Sequence, residues 1–499
     1  MIPTDLKMKK ILSIFVLALT CMSCSDLTSY NDNPNNPSEV NPQYVLTSVC
    51  RDAFYRGTDG MYAQKMVIQT DGQNSEQFYK WDRGSFDIYS TSLLQVKKME
   101  EEAQRTSSDV YLALSKFFRA YYFYNLTLTF GDIPCSDALK GQTDGVFMPK
   151  YDTQEEVFAS ILQNLSDADD ELAKETGSSI AGDIIYNGDV TSWRKLINSF
   201  HLKVLMTLSH HVTAGSHNIV DEFRTIAAKP LMESNADNGQ LTYLDQESCR
   251  YPQFNAQWSG YYMDKTYVNR MAEREDPRLF LFCLPTNEAA TQGKAVNDFS
   301  AYAGGDPIVP YDENIELVKD GKISQINSRF RTDAIGEPTM LMGYAELQQI
   351  MAEAVVRGWI SGDAKTYYEN GVKASFLFYQ TYAKTYSQYV TPAAASKYLL
   401  GDKVKFTDDL TTDEKIERII FQKYCTDFYQ GNWDGFFENR RTGYPAFAHT
   451  TDTQIPNRWM YPSTEYKHNT DNLTEAVARQ FGANNDNTHA TPWWMTGNN

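Results

Sequence analysis

This 499-residue chain has no apolar run long enough to cross a bilayer, few cysteines and no excess of positive charge. Each shortage excludes something. With 64 acidic residues against 46 basic ones, the formal net charge is −18. That argues against DNA, RNA and anionic lipid as partners, because all three call for a basic face. Seven cysteines are too few for a disulfide scaffold. Those after residue 24 (Cys50, Cys135, Cys249, Cys283 and Cys425) read as mostly buried thiols with few bridges. Catalytic and phosphate-binding signatures are missing too: no H-E-x-x-H, G-x-S-x-G, G-x-G-x-x-G or Walker-type loop occurs. The densest histidine group is His210, His211 and His217, and adjacent residues diverge on a helix, so no joint metal site is expected. The chain is read as a non-enzyme without cofactor or metal.

What is present begins with an address. Residues 11–20, ILSIFVLALT, follow Lys7, Lys9 and Lys10. As a helix they would rise about 15 Å, half of the roughly 30 Å of a bilayer core, which fits the apolar region of a signal peptide. The run ends in TCMSCSD, so that Cys21-x-x-Cys24 imitates a redox motif. Cys24 follows a small serine and precedes polar residues, as the acylated cysteine of a bacterial lipoprotein does, and lipidation at Cys24 is expected. Residues 25–42, rich in Asn, Pro, Ser and Asp, have little to bury and read as a tether. The expected organisation is a signal peptide over 1–23, a lipidated Cys24 with linker to 42, and a helix-pair scaffold over 43–228. A loop-rich segment over 229–337, a second scaffold part over 338–443 and an irregular segment over 444–499 complete it.

The body carries mainly helical periodicity. In residues 338–358, Met340, Tyr344, Leu347, Met351 and Val355 share one face, Pro338 suits a helix entry and Gly358 a C-terminal cap. A second helix is predicted over 363–383, giving a hairpin whose Ala374-x-x-x-Phe378 fits a fragment of the tetratricopeptide pattern. Further helices are predicted over 87–105, 109–130, 153–173, 190–211 and 413–429, the last capped by Thr412 or Asp413. The fold class is therefore mainly α, helix pairs forming a scaffold that presents loop-rich segments.

Aromatic residues make up 13% of the chain, and some fall in stretches read as loops. Tyr79 and Trp81 lie near Asn74, Asp82 and Arg83, while Trp258, Tyr261 and Tyr262 lie near Asn255 and Gln257. Flat amphipathic rings beside hydrogen-bonding groups suit a sugar, which offers a C–H face and a rim of hydroxyls. These five residues are the candidate ligand contacts. Trp193, Trp359 and Trp433, on or at the ends of helices, read as packing.

Several stretches together resemble a known family. Residues 33–49, 117–139, 182–209, 276–279 (DPRL), 341–359, 417–445 (with NRRTGYP) and 456–469 match in order the SusD/RagB-like outer-membrane nutrient-binding lipoproteins of Bacteroidetes. The resemblance implies a superhelix of tetratricopeptide-like helix pairs with irregular segments packed on one side. It implies a lipid-anchored protein of the outer membrane facing the cell exterior, which binds an oligosaccharide and passes it to a SusC-like TonB-dependent transporter. A peptide ligand for the same kind of import lid is the alternative. Arg440, Arg441 and Gly443, within the matching stretches, read as fold-building.

Overall fold

The computed structural model describes residues 39–497 apart from Thr176 and Trp258. The signal segment and Cys24 lie outside the described residues, and so does Trp258. From Pro42 onward the chain forms one compact unit. It is mainly helical, with only short two-stranded sheets among the described residues: β1 (Val67–Gln69) with β5 (Tyr261–Met263), β2 (Thr213–Ala214) with β3 (His217–Asn218), and β4 (Gly239–Leu241) with β6 (Thr339–Met342).

The helices of nine or more residues are α1 (Pro42–Ala53), α2 (Ser92–Thr106), α3 (Asp109–Phe130), α4 (Gln154–Leu172), α5 (Val190–Thr207), α6 (Ile219–Ala227), α7 (Lys265–Glu273), α8 (Tyr311–Lys319), α9 (Tyr344–Val356), α10 (Ala364–Tyr382), α11 (Thr412–Thr426), α12 (Asp434–Thr442) and α13 (Thr470–Phe481). Helices α1 to α5 pack in sequence order, α9 continues the row against α5, and α10 and α11 both lie on α9. Polar residues set the starts. Thr153 and Glu156 close a capping box at α4, Asp189 accepts from the Ser192 N–H at α5, and Asp363 caps α10. Helix α3 buries fourteen of its residues, among them Phe117, Phe118 and Phe123, so it runs through the core instead of resting on it.

Several boundaries differ from the sequence expectation; the helix expected over 190–211, for one, ends at Thr207. Residues 339–342 do not open a helix: they form β6 (Thr339–Met342), antiparallel to β4 (Gly239–Leu241). Pairing with β4 overrides the helical spacing there, and α9 begins only after Gly343. Helix α11 is capped by Thr411, whose side chain accepts the Glu414 N–H. The helix expected over 87–105 breaks at Thr91, whose backbone leaves the helical region. The segment over 229–337, read as loop, also contains α7 and α8. Each is nine residues long, too short for periodicity to stand out against their charged residues.

Family-matching residues act as internal braces. Arg278 is fully buried and paired with Asp276, its Nη2 donating to Oδ2 at 2.6 Å. Arg441 donates to Glu353 at 2.5 and 2.8 Å, and Gly443 ends α12 at φ 80°. Cys50, Cys135, Cys283 and Cys425 are buried free thiols, and Cys249 is exposed. No helix among the described residues is long and apolar enough to cross a membrane.

Candidate functional site

Two of the five residues expected to touch a ligand are packed away. Tyr79 and Trp81 are only 6% and 7% exposed. Trp81 stacks on Trp459 at 4.8 Å and meets Tyr79, Trp433 and Phe436 edgewise, while its indole N–H donates to the Arg458 carbonyl. Tyr79 donates to the Ala63 carbonyl, and Lys65 Nζ lies 4.0 Å from its ring centre. With their faces occupied, these rings seal a loop onto the core, which corrects the expectation for both. Tyr261 and Tyr262 lie on β5 (Tyr261–Met263), which pairs with β1 (Val67–Gln69), and both are half-buried. Tyr261 packs edge-on against Tyr62 and its hydroxyl donates to Thr58 Oγ1 at 3.4 Å.

The loop holding Thr58 borders a cleft that sequence reasoning did not find. The cleft, about 270 Å³ in volume, is walled by the end of α1, by α3, by α5 and by the turn that precedes α12. That is the lower end of the range of about 300–1,000 Å³ for ligand pockets. Because the cleft is open, a chain molecule could lay part of its length in it. Its aromatic surfaces are Tyr55, which is 55% exposed, Tyr121 and the half-buried Trp433. Trp433 is held from behind by Trp81, Phe436 and Trp459 at ring distances of 5.5, 5.5 and 4.7 Å. The buried cluster that claimed Trp81 thus fixes Trp433, the one tryptophan among the described residues that lines the cleft.

The turn carrying Trp433 is pinned from two sides. Gln64 Nε2 donates to the Asn432 carbonyl at 2.6 Å. Gly60 lies so close that a Cβ there would come within 1.9 Å of that same oxygen. Asn432 itself adopts a left-handed φ of 47°, which asparagine tolerates better than most residues.

The floor is ionic. Lys203 Nζ lies 2.8 Å from Asp434 and 3.0 Å from Glu346. Glu346 also faces Lys423, which pairs with Glu438, and Glu438 with Arg441. Arg441 and Arg357 then share Glu353. Burial alone would lower the Lys203 ammonium, but the charges of Asp434 and Glu346 outweigh it and hold it well above the ordinary lysine range. Burial likewise opposes ionisation of Glu438, and the Arg441 and Lys423 charges outweigh it, leaving its pKa at about 2. These groups are committed to one another, so the floor braces the cleft. Arg56 is spent in the same way: it donates to the carbonyls of Met340, Ala53 and Tyr55 and to the Tyr121 hydroxyl.

Other groups in the cleft keep capacity to spare. Among the described residues, no protein partner meets the Trp433 indole N–H, the Asn432 side-chain amide or the Tyr55 hydroxyl. The Asn125 side-chain oxygen is likewise unengaged, while its nitrogen donates to the Tyr121 carbonyl at 2.9 Å. An aromatic plane ringed by uncharged donors and acceptors matches a hydroxylated ligand with apolar C–H faces. The one sequence signal for this site was the pair Asn432-Trp433, a polar turn residue and a large ring just before a helix.

A family model described as "Starch-binding associating with outer membrane", SusD-like, matches residues 34–462. Among solved structures, a SusD homologue from Bacteroides fragilis is 59% identical, with 92% of this chain and all of that one covered at a TM-score of 0.89. An outer-membrane protein of Bacteroides vulgatus, described in connection with nutrient binding, is 49% identical with the same coverage and a TM-score of 0.88. A second Bacteroides fragilis SusD homologue is 29% identical, again with that coverage, at 0.84. No curated protein matches the sequence.

Proposed function

The chain belongs to the SusD-like family of outer-membrane nutrient-binding proteins, and on that premise we propose that it binds an oligosaccharide in the cleft beside Trp433. It hands the ligand to a SusC-like TonB-dependent transporter without altering it chemically. In this reading Cys24 carries the lipid anchor, the tether over residues 25–42 holds the body off the membrane, and the binding face looks to the cell exterior. The observation that carries the reading is Trp433, a ring fixed from behind with its N–H unengaged, beside an unengaged Asn432 amide. Tyr261, one loop away across Thr58, extends the surface for a longer chain, with Tyr262, whose hydroxyl accepts from Gln325, and Trp258 as further contacts.

Calorimetry with a panel of neutral oligosaccharides, using the intact protein and the variants Trp433→Ala and Tyr55→Ala, tests this. Binding of at least one glycan that both variants weaken supports it. A preference for peptides over every sugar would move the reading to a peptide-binding import lid. For the partner, purification from detergent-solubilised outer membranes should recover a large β-barrel protein. For the anchor, Cys24→Ala should release the protein from the membrane.

A further inference from the structure

Resting on the reading above, a narrower property of the same cleft follows from how its charges are used. Four ionisable groups of permanent charge line it: Asp52, Arg56, Lys203 and Asp434. Two are acids and two are bases, so the lining carries no net charge. The two cations are engaged elsewhere. Lys203 is held between Asp434 and Glu346 and is buried. Arg56 is 7% exposed and gives Nε and Nη1 to three carbonyls and the Tyr121 hydroxyl. Its remaining nitrogen, Nη2, makes no hydrogen bond among the described residues, and the nearby Asp434 charge acts on the guanidinium as a whole.

The one charged group that meets solvent freely is an acid. Asp52 is exposed and accepts the Tyr122 hydroxyl on Oδ2 at 2.6 Å, which leaves Oδ1 without a partner among the described residues. Apart from Arg56 Nη2 and Asp52 Oδ1, the groups without partners, on Trp433, Asn432, Tyr55 and Asn125, are uncharged. A carboxylate or sulfate entering here would lose its hydration shell, find only the Nη2 edge of the largely buried Arg56 to replace it, and approach Asp52 and Asp434. It would also approach a chain whose formal charge is −18. A hydroxyl meets none of these costs, because it can donate to Asp52 or Asn125 and accept from Trp433 or Asn432.

We propose that the cleft selects uncharged glycans and rejects uronic-acid and sulfated ones, with Asp52 as the excluding residue. Selection is by repulsion as well as fit.

The test is a matched pair measured on the full-length protein in detergent. The neutral probes are hexasaccharides of glucose, mannose, galactose and N-acetylglucosamine. Whichever binds is compared with the same chain after its C6 hydroxymethyl groups are oxidised to carboxylates; for N-acetylglucosamine the charged partner is the 6-O-sulfated chain. The expected result is an affinity at least about tenfold lower for the charged partner. Raising the salt about tenfold should leave the neutral affinity within about twofold. Asp52→Asn, which keeps an oxygen for Tyr122, should narrow the gap by raising the affinity of the charged chain. Charged chains that bind as well as neutral ones, in a way that Trp433→Ala abolishes, would overturn this inference and leave the glycan site standing. Failure of both classes to bind would overturn the glycan reading and this inference with it.

Discussion

Lys203 on α5 and Asp434 at the start of α12 meet at 2.8 Å beneath the cleft, joining the helix row to the turn that carries Trp433. Lys203→Met would leave Asp434 without its cation and Glu346 with only the more distant Lys423. Removing one partner of a buried pair costs about 3–5 kcal/mol. Urea denaturation should show a loss of that order, and a change below about 1 kcal/mol would contradict the structural role given to this pair.

The same ionic floor sets the acid limit of the protein. The folded pKa of Glu438, about 2, lies below its ordinary 4.5. The folded pKa of Glu222 is also about 2: burial would raise it, but hydrogen bonds from His201 and His217 outweigh that. A depressed carboxylate adds stability that is present above pH 4.5 and lost as the pH falls through 4.5 towards 2. Stability followed from pH 6 to pH 2 should therefore drop mainly below 4.5, and Glu438→Gln should flatten the drop by about 1–3 kcal/mol. An equally steep fall in the variant would contradict the assignment.

Gly60 permits the approach of the 57–60 loop to the Asn432 carbonyl. In Gly60→Ala the new methyl would lie within 1.9 Å of that oxygen, so loop and turn must separate. Overpacking of this kind costs about 1–3 kcal/mol. The shift also displaces Asn432 and Trp433, so ligand affinity should fall together with melting temperature. Unchanged affinity would show that the turn does not position the site.

Trp81→Ala should destabilise the protein by about 3–5 kcal/mol, as loss of a buried large aromatic does, because the ring contacts Tyr79, Trp433, Phe436 and Trp459. Chemical denaturation measures this. A variant as stable as the parent that binds ligand less well would return Trp81 to the ligand contacts.

The scaffold was legible in the sequence because helices state themselves locally. Phe117, Phe118 and Tyr122 lie within the helix predicted over 109–130, which α3 matches end to end, and α4 falls within the helix predicted over 153–173. Strand β6 was not legible, since its partner β4 is remote in sequence and the helical spacing of Met340 and Tyr344 was all that a local reading could see. The cleft was harder still. Its wall combines Tyr55, Tyr121 and Trp433 from three distant parts of the chain, and no spacing rule links them. Trp81 and Trp433 look alike in sequence, each beside polar neighbours. Which ring is covered and which is open depends on where Trp459 and Phe436 fall in the fold.

The most direct measurement of the central claim is calorimetric titration of neutral oligosaccharides into the full-length protein and into Trp433→Ala, with melting temperature as the control for folding. The account predicts binding by the parent and a loss of at least about tenfold in the variant, the order of one lost base-like stacking contact of about 1–3 kcal/mol, with the fold intact. A folded variant that binds every glycan as tightly as the parent would contradict it.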